Sequence, residues 1–335
     1  MGGGSHAPKK HYVPDTVVFR TKPEIALALV DRARANGVRV RAWTCDELYG
    51  RSSAFLDGLD QRGQVFVAEV PTNFHGWMTK PRVLRKGPTR PRRGRPKTYP
   101  RLAAKASSCE VGNLLRYSPV FRRQAWRRYR VKDTTRGPEV WEVKWAAFGR
   151  KADDGLPSRR QCLMVIRNVV TGDVKYFVSN RVPGDPGISL RFLLRVAVSR
   201  WSVEDCFRQA KEELGLDHYE VRGWRCVHRH FYLTQLSQLF CARLRQTFAA
   251  QNARDDSLEP LSVEAVRRAV NAWLQATTTP TSKTERLQKE LNEQRYYEKR
   301  RKQACLSHTK TRKKRLKELG IDPDRIRSCL PPSDG

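Results

Sequence analysis

The sequence predicts an α/β fold on three observations. Residues 22–70 alternate helix, strand, helix and strand; residues 140–182 hold three strand-like runs divided by turn signals; residues 189–250 are helical in pattern. In order along the chain, Lys22 to Asn36 reads as a helix with Ile25, Leu27, Leu29 and Val30 apolar and Gly37 as its stop. Val38–Trp43 alternates basic and apolar residues as a short strand that ends at Cys45-Asp46-Glu47. A second helix starts with Ser52 or Ser53 as its cap, and Gln64–Val70 reads as a buried strand closed by Pro71.

After Pro71 the texture changes. Lys80 to Arg101 is basic, rich in Pro and Gly and free of acids, so it cannot bury a core and reads as an extended or disordered arm. Val140–Phe148, Gln161–Val169 and Val174–Val182 follow as a small antiparallel sheet, with turns at Asp153-Asp154-Gly155 and Thr171-Gly172-Asp173. Helices are expected at Ser189–Arg200, Val203–Leu214, Trp224–Ala250 and Ser262–Ala276, with a very basic one after Ser282. No internal repeat is visible.

Charge narrows the function. The 335 residues carry 66 Lys+Arg against 34 Asp+Glu, a formal net of +32 that a compact chain tolerates best against a polyanion. Nucleic acid is the default partner, since neutralised phosphates release counterions; a highly charged soluble protein and a membrane-surface binder are the other readings. No apolar run approaches the roughly 18–20 residues of a bilayer span, and MGGGSHAPKK lacks the apolar centre of a signal peptide. Eight cysteines without any CxxC pair argue against zinc and a disulfide framework, and fit a reducing cytoplasm.

Two places carry chemistry. Asp46 stands at the exit of a strand, before a Tyr-Gly turn, where a carboxylate either holds a metal at the sheet edge or caps the turn. In Arg200-Trp-Ser-Val-Glu204-Asp-Cys-Phe-Arg-Gln-Ala-Lys211, helical spacing puts Arg200, Glu204 and Lys211 on roughly one face. A carboxylate flanked by two cations can bind a metal and the phosphates around it, or form an ordinary salt-bridge ladder. The spacing alone leaves both open.

Arg-x3-Glu-x6-Lys at Arg200, Glu204 and Lys211 resembles the Y-R-E-K signature of DDE-type insertion-sequence transposases, the IS-four group and its relatives. The block DELYG with FLDGLDQRGQVFVAEVP resembles their second-aspartate region, and YEVRGWRCVHRHFYL a helix entry further on. The resemblance covers about residues 12–250. It implies a ribonuclease-H-like mixed sheet with flanking helices, interrupted by a β-rich insertion and followed by a helical C-terminal region. It also implies Asp46 and Glu204 as catalytic, metal-binding acids, Arg200 and Lys211 as phosphate contacts, and Mg2+ as cofactor, two ions in a complete site.

The signature's tyrosine position is Ala197, and the first aspartate of the resembled proteins has no counterpart on a first strand: Asp31 lies mid-helix and Asp15 in a loop. The expectation is therefore that the first core strands are missing, that an open sheet edge remains, and that this chain alone does not cleave DNA.

Arg93-Gly94-Arg95-Pro96 resembles the core of an AT-hook, an arm that fits Arg93 and Arg95 into a narrow minor groove; non-specific backbone contact is the plainer reading. Trp141 and Trp145 share one face of a strand, where the resemblance implies stacking on a flipped base and packing alone implies core positions. His228 and His230 face different ways on a helix and read as DNA-facing or core residues.

The expected domains are 1–71, a partial core with Asp46; 72–186, basic arm and β-rich insertion; 187–251, the helical remainder with Glu204; and 252–335, a basic helical C-terminal region. The expected function is DNA transposition by strand cleavage and strand transfer on double-stranded DNA, both transposon ends and target, by a homodimer in the bacterial cytoplasm at the nucleoid. The alternative is a non-catalytic DNA-binding fragment that inhibits transposition.

Overall fold

A computed structural model describes residues 11–87, 98–252, 261–278 and 283–329. They fall into a sheet unit, residues 20–200 and 305–335, and a helical unit, residues 1–19 and 201–304, each described by itself.

The sheet unit opens with α1 (Lys22–Ala35). Its start is fixed by a capping box in which Thr21 Oγ1 accepts from the Glu24 amide and Glu24 Oε2 accepts from the Thr21 amide. Strand β1 (Trp43–Cys45), α2 (Glu47–Gly50), α3 (Ser53–Gln61) and β2 (Phe66–Val70) follow. The two strands run parallel, Trp43 beside Phe66 and Cys45 beside Ala68. Phe55, Leu56 and Leu59 of α3 bury against Val30, Phe66 and Ala68, each contributing about 1.5–3 kcal/mol of hydrophobic burial. The strand expected from Val38 begins only at Trp43, because the ladder starts where the Trp43 amide reaches the Val65 carbonyl, 2.8 Å away.

Next come β3 (His75–Trp77), β4 (Val83–Leu84), β5 (Arg101–Leu102), β6 (Cys109–Glu110), α4 (Val111–Tyr117) and α5 (Pro119–Arg123). Strands β4 and β5 pair with each other, so both ends of the expected unstructured arm are ordered; residues 88–97 lie outside the described residues. Then follow β7 (Arg127–Thr134), β8 (Gly137–Arg150), β9 (Gln161–Asn168), β10 (Val174–Ser179) and α6 (Leu190–Val198).

The last three strands are antiparallel, as the turn signals predict. They do not form a small sheet of their own. β10 pairs antiparallel with β2, giving one eight-stranded sheet in the order β1-β2-β10-β9-β8-β3-β6, with β7 also on β8. The reason is apolar surface on both faces. Phe177, Met164 and Ile166 pack on one side with Phe192, Leu193 and Leu194 of α6, while Val178, Leu163 and Val165 pack on the other with Phe121 and Phe148. This is a mixed, mostly antiparallel sheet with flanking helices, consistent with an α/β ribonuclease-H-like fold.

Among the described residues β1 is one edge of this sheet. The outer edge of β7 is covered by the chain's late segment: the Arg130 amide donates to the Arg327 carbonyl at 3.0 Å and the Cys329 amide to the Arg130 carbonyl at 2.8 Å. Leu316 and Ile321 bury against Val140 beside it.

The helical unit comprises α7 (Trp201–Leu214), α8 (Trp224–Gln251), α9 (Val263–Thr278) and the first part of α10 (Lys283–Glu318). Its small core joins Cys241, Val263 and Val266 with Leu214, Leu261 and Val270. Leu233, Leu236, Leu239 and Phe240 of α8 stay exposed. His228 and His230 are each engaged with a backbone carbonyl, of Trp224 and Gly215 at 2.9 Å. No helix of the described residues is long and apolar enough to cross a membrane.

One buried carboxylate sets an acid limit on the sheet unit. Glu142 on β8 accepts from Arg128 at 3.0 Å and from Arg167 at 2.5 Å. Burial pushes its carboxyl up, but the two arginines outweigh burial and hold it below its ordinary value. A depressed folded-state value means stability present above the unfolded carboxylate range and lost as pH falls through the folded one. Glu142→Gln is therefore expected to cost about 1–2 kcal/mol at pH 7, the two arginines being half-exposed. It should also flatten the acid limb of a urea-unfolding series between about pH 5 and 3.

Candidate active site

Asp46 follows β1 directly and is half-buried. Its Oδ1 accepts from the amides of Leu48 and Tyr49 at 3.1 and 3.4 Å, which caps α2 and fixes the carboxylate at the strand exit. Of the two roles weighed from the sequence, the cap is the one these bonds make, and it uses Oδ1. Gly50 ends α2 against β2: a Cβ there would lie 1.8 Å from the Glu69 carbonyl oxygen. The Tyr-Gly pair is a close-packing requirement that holds the capped aspartate to the sheet.

Parallel strands emerge on the same edge, and the β1–β2 register carries Cys45 beside Ala68. The next residues, Asp46 and Glu69, are neighbours at that edge. Glu69 accepts from Lys175 Nζ at 2.8 Å and lies 3.7 Å from Arg200 Nε. The Cys45 thiol reports the same grouping: burial first, then the Asp46 charge, pushes it up to about 12, with Glu69 adding and Arg200 opposing. Sequence reasoning missed Glu69. The available signal was an acid inside the otherwise apolar strand Phe66–Val70.

Arg200 does not share a helix with Glu204. Helix α6 stops at Val198, where the Ser199 hydroxyl donates to the Val196 carbonyl at 2.8 Å, and α7 begins at Trp201. Arg200 sits in the break, held toward β2 by Glu69. Arg200 thus stands in the turn just before α7, and Glu204 and Lys211 are exposed on α7. Seven residues apart, Glu204 and Lys211 keep one helix face. Ala197, at the signature's tyrosine position, is buried under α6 in the sheet core.

Asp31 is mid-helix as expected and bonded twice by Arg62 at 2.8 Å, which holds its carboxyl below the ordinary value. Among the described residues no group of three or more His, Cys, Asp or Glu side chains is arranged to hold a metal ion.

Trp141 is corrected from a base-stacking residue to a core residue. Its ring is 8% exposed and its Nε1 donates to Glu139 at 2.8 Å, so it has no free face for a base. Trp145 packs against the same cluster, with Gln124 bracketing its backbone at 2.9 and 3.1 Å. Arg93 and Arg95 lie outside the described residues.

Residues 6–138 match the model of a family described as DDE superfamily endonuclease. The match contains Asp46, the parallel β1–β2 pair and Glu69, and ends before Arg200, Glu204 and Lys211. No curated protein matches the chain. The match supports a DDE-type, transposase-like protein with a nuclease- or transposase-type function; the superfamily is generally divalent-metal dependent and suggests DNA as partner.

The site's packing predicts a reactivity order. Cys45 should alkylate with iodoacetamide far more slowly at pH 7.5 than the exposed Cys206 and Cys226. Gly50→Ala should cost about 1–3 kcal/mol by overpacking and, by lifting α2 from β2, speed Cys45 alkylation, read by peptide mass spectrometry.

Proposed function

We propose that this protein performs DNA transposition by metal-dependent strand cleavage and strand transfer at insertion-sequence ends, with Asp46 and Glu204 as its metal-binding acids. The observation that carries the reading is the strand-exit carboxylate Asp46 beside Glu69 and Arg200, with Asp46 and Glu69 both inside the segment that matches the DDE superfamily endonuclease model. The donor chemistry fits a hard cation: carboxylate oxygens suit Mg2+, which keeps several waters and bridges to phosphate. When bound, two such ions polarise the scissile phosphate and ease ionisation of the attacking oxygen.

The chain's own residues do the rest. The α2 amides hold Asp46 in one orientation, so its second oxygen is presented without a rotamer search. Arg200, steadied by Glu69, offers its guanidinium to a phosphate near the cut, and Lys211, on the same helix face as Glu204, offers a second cation. In cleavage a water oxygen bonds to phosphorus as the bond to the leaving 3′-oxygen breaks; in transfer a 3′-hydroxyl attacks in the same way. Double-stranded DNA at element ends and target, bound by a homodimer at the nucleoid, completes the proposal, and the charge of +32 supports a phosphate-rich partner.

A Mg2+-dependent cleavage assay on duplexes carrying the element's ends tests it, and decides between it and the expectation from the sequence that the chain alone does not cleave DNA. Cleavage should fall at least about 100-fold in Asp46→Ala and in Glu204→Ala, with duplex binding retained. A protein that binds the ends but never cuts them overturns the reading and leaves a non-catalytic DNA-binding protein, such as an inhibitor of transposition.

A further inference from the structure

The sheet unit contains a second feature on the far side of α2 from Asp46. A cleft of about 450 Å3 opens between the end of α2, the start of α3, the turn after β2 and the β3–β8 pair. Its polar lining is Arg51, Ser53, Asn73, His75 and Lys151, with Asp153 as the one carboxylate.

These groups converge from separate elements. Gly76 pairs with Arg150 across β3 and β8, so His75 and Lys151 stand opposite each other in the next register position, joined by the Lys151 amide donating to the His75 carbonyl at 2.9 Å. Cross-strand neighbours share a face, and the imidazole of His75 lies 3.2 Å from Ser108 Oγ and 3.9 Å from the Glu110 carboxylate. Arg51 comes from the other wall, where it pairs with Glu47 one turn back; both are exposed, and such a pair yields readily to a stronger anion. Ser53 is the first residue of α3, whose cap Ser52 takes only the Phe55 amide and leaves the first-turn amides as partial positive charge. The α3 end of the cleft is rigid: Ser53 Oγ accepts from the fully buried Arg150 at 2.8 Å.

We propose that this cleft is a phosphodiester subsite that grips the DNA backbone beside the scissile phosphate. It rests on the reading of Asp46 as a DNA-cleaving residue. Arg51 lies five residues beyond Asp46, about 7.5 Å of helical rise. Set against about 3.4 Å of axial rise per phosphate on one strand, the cleft takes phosphates about two nucleotides from the cut. Arg51 and Lys151 contact the phosphate oxygens, Asn73 and the α3 amides complete the cradle, and Asp153 limits affinity at the rim.

The test is duplex binding by fluorescence anisotropy across 50–200 mM salt, using a 30-base-pair duplex and the full chain. The Arg51→Gln/Lys151→Gln variant should lower the slope of log affinity against log salt by about two, one per lost phosphate contact. Asp153→Asn should bind tighter than the parent. The Lys86→Gln/Arg136→Gln variant makes the same charge change at exposed positions and should shift the slope by less than one. Circular dichroism of each variant checks that it folds. An unchanged slope in the first variant, or an equal loss in both double variants, overturns the subsite. Cleavage of the duplex by the parent protein, and its loss in Asp46→Ala, is read separately. If the slope falls but the parent never cleaves, the cleft stands as a DNA contact and only the catalytic reading fails.

Discussion

The parallel pairing of β1 with β2 is the constraint on which the site depends. Every other pairing in the eight-stranded sheet for which a register is defined is antiparallel, so only here do two adjacent strands end on the same edge. That geometry brings Asp46 and Glu69 side by side, and like charges at that spacing need compensation. The chain supplies it asymmetrically. Asp46 receives the amides of α2, whereas Glu69 receives Lys175 from β10 and Arg200 from the break after α6. One acid is thereby held by backbone amides and the other by two side-chain cations.

The strands between β2 and α6 are part of this arrangement rather than an appendage. Because β10 lies directly against β2, the long insertion delivers Lys175 to Glu69. At its other end, β8 sends the fully buried Arg150 back to Ser53 and Asp57 of α3, the helix that follows the Asp46 motif. A buried guanidinium is tolerated only when bonded, so this contact locks the insertion's longest strand to the helix beside the site. Small-residue requirements do the same on the other side, where Gly50 lets α2 lie on the β2 backbone.

Much of this was legible in the sequence because it depends on local period and capping. Gly37 as a helix stop, Ser52, and the alternation through Val140–Phe148 are short-range signals, and the elements fall where they point. Long-range pairing was not legible: nothing in Val174–Val182 says that it joins β2, and the merger of insertion and core followed from apolar residues on both faces. The site divides the same way. Asp46 was readable from its strand exit, while the Arg200–Glu69 pairing required the break at Ser199, which a helical-face count over Arg200–Lys211 smooths away. Trp141 and Trp145 show the limit of alternation, which assigns two residues to one face without saying whether that face meets solvent or core.

The central proposal is that Asp46 and Glu204 are metal-binding acids. Iron-mediated cleavage tests it most directly, because Fe2+ takes the same oxygen-ligand sites as Mg2+ and with ascorbate and peroxide cuts the polypeptide beside its own ligands. On the DNA-bound protein the account predicts two cuts suppressed by excess Mg2+, one near Asp46 that is lost in Asp46→Ala and one near Glu204 that is lost in Glu204→Ala. A cut near only one of the two, or cuts that survive the substitution, would contradict it.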